Sequence, residues 1–328
     1  MVNIPMSAVS IGGRDLAVRR FAASDAFFRL LTRSAAYFVL TLLGGFLLTL
    51  VFGAWLALST FGISFFTSQS WNPNPDILKF GALAPIYGTL VTSAVAMTLA
   101  LPVGLGIAVF LTELCPLRLR RVIGTAIELL AGVPSIIYGM WGLFVLAPVL
   151  QNLENNYLVP AVSEIPILST IFAGPSYGQG ILTAGIILAI MVLPFIAAVS
   201  RDVFETVPPV LKEAAFGLGA TTREVVTRVV LPYSRVGVIG GAMLALGRAL
   251  GETMAVTFVI GNDPKVRASL LAPGTTISSS IANEFAEAKE AMHSSALVAL
   301  GLILFVITLI VLAGARLLLL RMNKQAGA

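Results

Sequence analysis

The chain has 328 residues, of which 57% are apolar and only 11% are charged, and its formal net charge is +5. Soluble domains average about 45–50% apolar and about 25% charged residues, so this chain has too little charge to cover a surface in water. The composition argues against a soluble enzyme, a disordered protein and a nucleic-acid binder. Its single cysteine and single histidine provide neither an internal disulfide nor a Cys/His metal site.

Six apolar stretches are long enough to cross a bilayer as helices, which takes about 20 residues each. Backbone polar groups find no water in hydrocarbon, and a helix satisfies them within a single segment. The sequence therefore predicts an all-α integral membrane protein with six transmembrane helices. The predicted spans are residues 35–58, 86–111, 122–150, 179–199, 236–261 and 295–319.

The segments that connect these spans differ in charge. Most of the 21 lysine and arginine residues lie before the first span, in 112–121, in 200–235 and after the last span. Basic residues mark cytoplasmic segments, so both termini are predicted to be cytoplasmic. Residues 1–34 are rich in arginine and have no early apolar run, so we expect a cytoplasmic tail rather than a cleaved signal peptide. Residues 320–328 form the predicted C-terminal tail.

Residues 200–235 form the longest cytoplasmic connection, and their composition is helical. Residues 211–215 favour a helix, which Gly217 and Gly219 are expected to break. The segment offers few apolar residues to bury against its own chain, so we predict that it docks on another protein. An amphipathic connector on the membrane surface is the alternative.

A second helix is predicted after the glycine turn, over residues 223–230. Thr221 or Thr222 can cap its first turn, because a side-chain hydroxyl accepts a hydrogen bond from a free amide there. Leu231 and Pro232 are predicted to end it, since proline lacks the amide that continues a helix.

Arg248 and Glu252 are predicted to lie inside the fifth span. Arg248 would sit ~18 Å from the cytoplasmic end at ~1.5 Å per residue, and Glu252 one turn further on the same face. A charge at the helix centre costs about 2.5–3.5 kcal/mol, so it faces a partner or an aqueous path. Two interpretations stay open. The two residues form an ion pair that locks the helix, or Arg248 offers its guanidinium to a passing anion while Glu252 limits the affinity.

Several smaller features belong to the same spans. The small-residue patterns 237/241 and 247/251 predict close packing of the fifth span against neighbouring helices. Glu128, six residues into the third span, is predicted to have a structural role.

Ser135 and Tyr138 follow a proline in the third span and are candidates to line a transport path. We expect no functional role for His293 and Cys115.

The segment 200–235 resembles the EAA loop of ABC importer permeases. Glu213 to Ala215, Gly219 and the Leu231–Pro232 pair stand at the family spacing, with Val229 where isoleucine is usual. The resemblance implies coupling helices that sit in a groove of an ATP-hydrolysing subunit. The residues implied in docking are Glu213, Ala214, Ala215, Gly219, Leu231 and Pro232.

The sequence contains no glycine-rich phosphate loop of the GxxxxGK[ST] kind. The resemblance therefore implies that a separate subunit binds ATP and Mg²⁺. The chain itself is expected to be a non-catalytic permease without a cofactor.

Residues 85–93, 127–144, 247–261 and 282–288 resemble the permeases of phosphate-specific ABC importers, and their PstC-type subunit in particular. This implies a type I ABC importer bundle over residues 80–319 that includes the coupling loop 200–235, with residues 35–58 as a first, peripheral helix. The implied partners are a homologous second permease in a heterodimer, two ATP-binding subunits, an extracytoplasmic phosphate-binding protein and membrane lipid, without nucleic acid. The implied location is the bacterial inner membrane.

Residue chemistry alone leaves the substrate open. An arginine in the membrane suits sulfate or molybdate as well as phosphate. An ion-coupled secondary anion carrier that uses Arg248 and Glu252 as a charge relay is a further alternative, although such a carrier has no need of a docking loop.

Overall fold

The computed structural model describes residues 11–74 and 78–326, in which the regular structure is helical. Pairing of β type within these residues is limited to two isolated bridges, Asn72 with Lys79 and Gly261 with Gly274. The predicted all-α class is confirmed.

The described helices, α1 to α12, follow one another along the chain. Their bounds are α1 Ile11–Phe61, α2 Ser64–Thr67, α3 Leu83–Leu114, α4 Leu117–Ala131, α5 Ser135–Val162, α6 Pro166–Ile171, α7 Ile181–Glu205, α8 Pro209–Gly217, α9 Thr222–Leu250, α10 Met254–Val259, α11 Ile277–Glu284 and α12 Ala291–Ala326. Turns of π-helix form part of α3, α5 and α9. Within the described part of the chain, six helical segments are long and apolar enough to cross a membrane, which confirms the predicted number. They are Phe27–Phe61, α3, α5, α7, α9 and Ala291–Leu317.

The chain divides into two units, Met1–Phe52 and Gly53–Ala328. Residues 1–10 of the predicted N-terminal tail lie outside the described residues, and the rest of the first unit is helical. Large apolar side chains of this helix, among them Phe38 and Phe52, are exposed. Such a surface suits an apolar environment. Residues 327 and 328 of the predicted C-terminal tail are also outside the described residues, and α12 includes the tail residues before them.

The third predicted span, 122–150, is not one helix. Helix α4 ends at Ala131 and α5 begins at Ser135, with Pro134 between them. Proline has no amide to donate and disfavours helical geometry in the residue before it, so the helix breaks here. Glu128 therefore lies on α4, and the membrane-crossing helix starts after it.

The fifth predicted span, 236–261, is wrong at both ends. Leu231 and Pro232 do not end a helix, because α9 runs through them from Thr222 to Leu250. A π turn over Val226–Val230 ends two residues before Pro232 and changes the carbonyl pairing there, which lets the helix continue. At its other end α9 stops at Leu250, and α10 is a separate short helix.

Helix α7 forms the centre of the second unit, with α3 packed along it and α9 beside it. Its buried side chains, such as Ile187, Leu188 and Val192, belong to the main apolar cluster. Glycines permit the close packing: a Cβ on Gly104 would lie 2.7 Å from Cγ2 of Ile196 on α7.

The predicted small-residue pattern 237/241 is confirmed. A Cβ on Gly237 or Gly241 would lie 2.6 or 2.7 Å from a valine methyl group on α7. The pattern 247/251 does not mark such a close helix contact. The nearest atom to a Cβ on Gly247 would belong to Leu312 at 3.6 Å, which is an ordinary van der Waals distance. Gly251 lies beyond the end of α9.

The first residues of α3 hold the segment that leads into α11. Thr89 accepts a hydrogen bond at its Oγ1 from the Ile277 amide at 3.0 Å. The Thr275 carbonyl approaches Gly88 so closely that a Cβ there would lie 1.9 Å from its oxygen. Only glycine fits this contact without movement of the backbone.

Gly88→Ala is expected to destabilise the protein by about 1–3 kcal/mol, the usual cost of overpacking. The matched control is Gly240→Ala, since no atom lies within 4 Å of a Cβ at that helical position. Thermal unfolding in detergent compares the two variants, and equal midpoints would contradict the close contact at Gly88.

Candidate functional site

The coupling loop folds as the sequence predicts, into a helix, a glycine turn and a second helix. Helix α8 ends at Gly217, and Gly219 has a φ of +83°, which glycine adopts without strain. Of the two candidate caps, Thr221 is the one used: its Oγ1 accepts from the Glu224 amide at 3.4 Å. The Glu224 carboxylate in turn accepts from the Thr221 amide at 2.9 Å.

Backbone hydrogen bonds hold the turn between the two helices. The Leu218 amide donates to the Ala214 carbonyl at 3.1 Å, and the Gly219 amide donates to the Phe216 carbonyl at 2.9 Å. The Ala220 amide donates to the Ala215 carbonyl at 3.1 Å. These bonds satisfy the carbonyl groups at the helix end and fix the shape of the turn.

Part of the predicted docking set is on the surface. Glu213, Ala214, Gly219 and Pro232 are exposed. Leu218, which the sequence analysis did not single out, is 91% exposed at the tip of the turn. The sequence feature that could have indicated Leu218 is its position between two glycines, because an exposed flexible turn usually carries polar residues there.

The remaining docking candidates, Ala215 and Leu231, pack against the chain itself. They contact a buried cluster formed by Ala108, Phe204 and three valines, Val207, Val225 and Val230. The expectation that this segment has few apolar residues to bury against its own chain is wrong. Val225 and Val230 lie in this cluster and Val229 packs against it, so the second helix fills the space beneath the turn and supports the loop.

Arg248 and Glu252 do not form the expected i,i+4 ion pair. Helix α9 ends at Leu250, so the helical periodicity that would bring the two side chains together stops before Glu252. The half-buried Glu252 carboxylate accepts instead from the Ala255 amide at 3.3 Å, near the start of α10. Arg248 is exposed, and its side chain forms no hydrogen bond or ion pair within residues 11–74 and 78–326.

The Tyr138 hydroxyl group lies within electrostatic range of the Arg248 guanidinium. That hydroxyl donates to the Leu130 carbonyl at 2.9 Å, so Tyr138 bridges the break between α4 and α5. Ser135 is the first residue of α5 and is half-buried one turn before Tyr138. The structure thus brings Tyr138 and Arg248 together and places Ser135 on the adjoining turn.

Two helix breaks meet near Arg248. Helix α10 packs on α5 at Gly139, where a Cβ would lie 2.9 Å from the Phe258 ring and 3.1 Å from the Met254 carbonyl oxygen. The break before α5 and the break before α10 are therefore close together. Non-helical backbone inside a membrane is stable only where protein surrounds it or water reaches it. An exposed arginine beside these breaks fits a polar path.

The other singled-out residues have structural contacts. Glu128 on α4 accepts from Arg201 at 2.8 Å, which supports the predicted structural role. Cys115 is a free thiol. His293 is buried, stacks on Phe80 and lies 2.9 Å from the Glu284 carboxylate through Nε2, so its observed contacts are those of a packing residue. The described residues contain no group of His, Cys, Asp and Glu suited to a metal ion.

Residues 100–324 match the family model described as "Binding-protein-dependent transport system inner membrane component". A phosphate transport system permease protein PstC from Mesorhizobium japonicum is 62% identical over 96% of both chains. The Xylella fastidiosa protein of the same name is 54% identical over 99% of this chain and 98% of its own. A probable PstC protein from Methanocaldococcus jannaschii is 40% identical over 87% of this chain and 90% of its own.

Solved structures show the same fold at low identity. A bacterial alginate ABC transporter chain superposes with a TM-score of 0.60 at 16% identity, over 93% of this chain and 98% of its own. A methionine ABC transporter chain in an inward-facing conformation gives 0.52 at 18% identity, over 72% of this chain and 93% of its own. The chain therefore belongs to the binding-protein-dependent inner membrane permeases of ABC importers, in their PstC branch.

Proposed function

We propose that this chain is the transmembrane permease subunit of an ATP-driven importer of inorganic phosphate. It forms half of the translocation path and is driven by a separate ATPase. The observation that carries the ATP coupling is the rigid coupling loop, which presents Glu213, Leu218 and Gly219 on an ordered surface. The phosphate substrate rests on the relatives, which are named as phosphate transport permeases.

The partners follow from this assignment. A homologous second permease completes the path, two ATP-binding subunits hold ATP and Mg²⁺, and an extracytoplasmic protein delivers phosphate. The chain itself catalyses no reaction. Its most basic connections, 112–121 and 200–235, face the cytoplasm of a bacterial inner membrane together with both termini, in accordance with the positive-inside rule.

Arg248 is the proposed substrate contact on the path. Its guanidinium is free to donate several hydrogen bonds to a tetrahedral oxyanion, with Tyr138 within electrostatic range and Ser135 one helical turn from Tyr138. Glu252 adds negative charge four residues further on, which limits the affinity so that the anion can leave. These groups do not distinguish phosphate from sulfate or molybdate; the delivering protein makes that selection.

Radiolabelled uptake by the complete complex in proteoliposomes tests the assignment. We expect ATP-dependent uptake of phosphate with the phosphate-binding protein, and none of sulfate or molybdate with that same protein, because the delivering protein selects the anion. Uptake of sulfate or molybdate at the rate of phosphate uptake would contradict the assignment of phosphate as the substrate. Uptake without the ATPase would instead indicate an ion-coupled carrier.

Leu218→Ser is expected to weaken ATPase binding by about 2 kcal/mol, or about 30-fold, since burying an exposed leucine side chain against a partner contributes about 1.5–3 kcal/mol. Ile63→Ser is the matched control, because Ile63 is 83% exposed but lies far along the chain from the coupling loop. Co-purification of the ATPase with each variant measures the effect. An undiminished ATPase yield with Leu218→Ser would rule out this anchor.

Arg248→Gln is expected to lower phosphate uptake about 10- to 100-fold in an assembled complex, since hydrogen bonds to charged groups contribute about 1.5–3 kcal/mol. Arg248→Lys keeps the charge without the planar donor fork and should retain part of the uptake. Arg316→Gln, at an exposed arginine on α12, serves as the control. Normal uptake by Arg248→Gln would show that the residue does not contact the anion.

A further inference from the structure

A buried ion pair fastens the coupling loop to the membrane helices. Lys212 Nζ lies 2.5 Å from Glu113 Oε1, and the two side chains are only 19% and 7% exposed. Lys212 belongs to α8, next to the docking residue Glu213, whereas Glu113 belongs to the last turn of α3.

This pair differs from the other cytoplasmic ion pairs in its burial. Arg120 and Glu205, which join α4 to α7, are 29% and 49% exposed at a separation of 3.0 Å. Burying charges costs free energy, and a protein is often at least as stable when apolar residues of similar size replace a buried ion pair. What a buried pair adds is a fixed geometry, because each charge holds the other in one position.

The backbone of α3 is adapted to this contact. Glu113 lies in a π turn over Phe110–Leu114, after which the chain leaves the helix at Cys115. A π turn adds a residue to the helical turn and redirects the side chains that follow, and such turns are frequent at functional sites. Here the turn carries the carboxylate that receives the Lys212 ammonium group.

Helix α3 also makes fixed contacts at its other end. It has 32 residues and a length of about 48 Å at about 1.5 Å per residue. Its start is held by Thr275 against Gly88 and by the hydrogen bond between Ile277 and Thr89. The helix therefore joins the coupling loop at one end to residues 275–284 at the other.

We propose that Glu113 and Lys212 are positioning residues that transmit movement of the coupling loop to α3. This inference rests on the proposed function, in which an ATPase moves that loop. The ion pair makes α8 and the end of α3 shift together, and α3 carries the shift to residues 275–284 on the extracytoplasmic side. Without the pair, the ATPase still docks and hydrolyses ATP, but only part of the coupling-loop movement is transmitted through α3 to the translocation path.

The test measures phosphate transported per ATP hydrolysed by the complete complex in proteoliposomes. Glu113→Gln and Lys212→Met are expected to lower this ratio about fivefold or more, within the usual range of coupling effects, while the ATPase still co-purifies. The charge-exchanged double variant, Glu113→Lys with Lys212→Glu, should recover most of the ratio. Arg120→Gln removes the more exposed ion pair and should leave the ratio unchanged.

A single variant leaves an unpaired buried charge, which can prevent assembly. The neutral double variant, Glu113→Gln with Lys212→Met, avoids this and should assemble with the low ratio. A normal ratio of phosphate transported to ATP hydrolysed in that variant overturns the inference. The proposed function stands in that case, provided that the unmodified complex takes up phosphate with ATP. Absence of such uptake by the unmodified complex overturns the proposed function, and the inference with it.

Discussion

Backbone amides and carbonyls have no partners in hydrocarbon, and most of this structure follows from that constraint. It forces each spanning segment into a helix, and it makes every interruption informative. A break inside the bundle persists only where protein or water satisfies the freed groups. The break at 132–134 and the break at 251–253 meet where α10 packs on α5 at Gly139. The exposed Arg248 lies two residues before the end of α9, beside these breaks.

Hydropathy predicted the number of spans because crossing a bilayer requires a minimum apolar length, whatever the neighbouring helices are. Hydropathy could not predict where the individual helices begin and end. Both sides of Pro134 are apolar, so the pattern does not reveal that α4 and α5 are separate helices. Pro232 shows the opposite failure: proline indicates a helix end, but the π turn before it lets α9 continue. Such adjustments depend on packing, which a single sequence does not display.

The site was predictable where its chemistry is local. Gly219 and Thr221 act through their own φ angle and their own neighbours, so their roles follow from short-range rules. The contact between Lys212 and Glu113 joins residues 99 positions apart. The contact between the Trp71 indole and Glu284 joins residues 213 apart. Each of these residues looks ordinary in its own segment, and only the packed fold shows that it has a partner.

Three basic residues of the bundle differ from Arg248 in having an ion-pair partner on another helix. Arg120, Arg201 and Lys212 each meet a carboxylate on another helix, and these pairs hold helix ends together. Arg248 has no such partner within the described residues, because α9 stops before Glu252 can face it. An arginine that is already paired would have to give up its carboxylate to bind an anion. The end of α9 at Leu250 therefore leaves the guanidinium without a carboxylate partner, which the proposed anion contact requires.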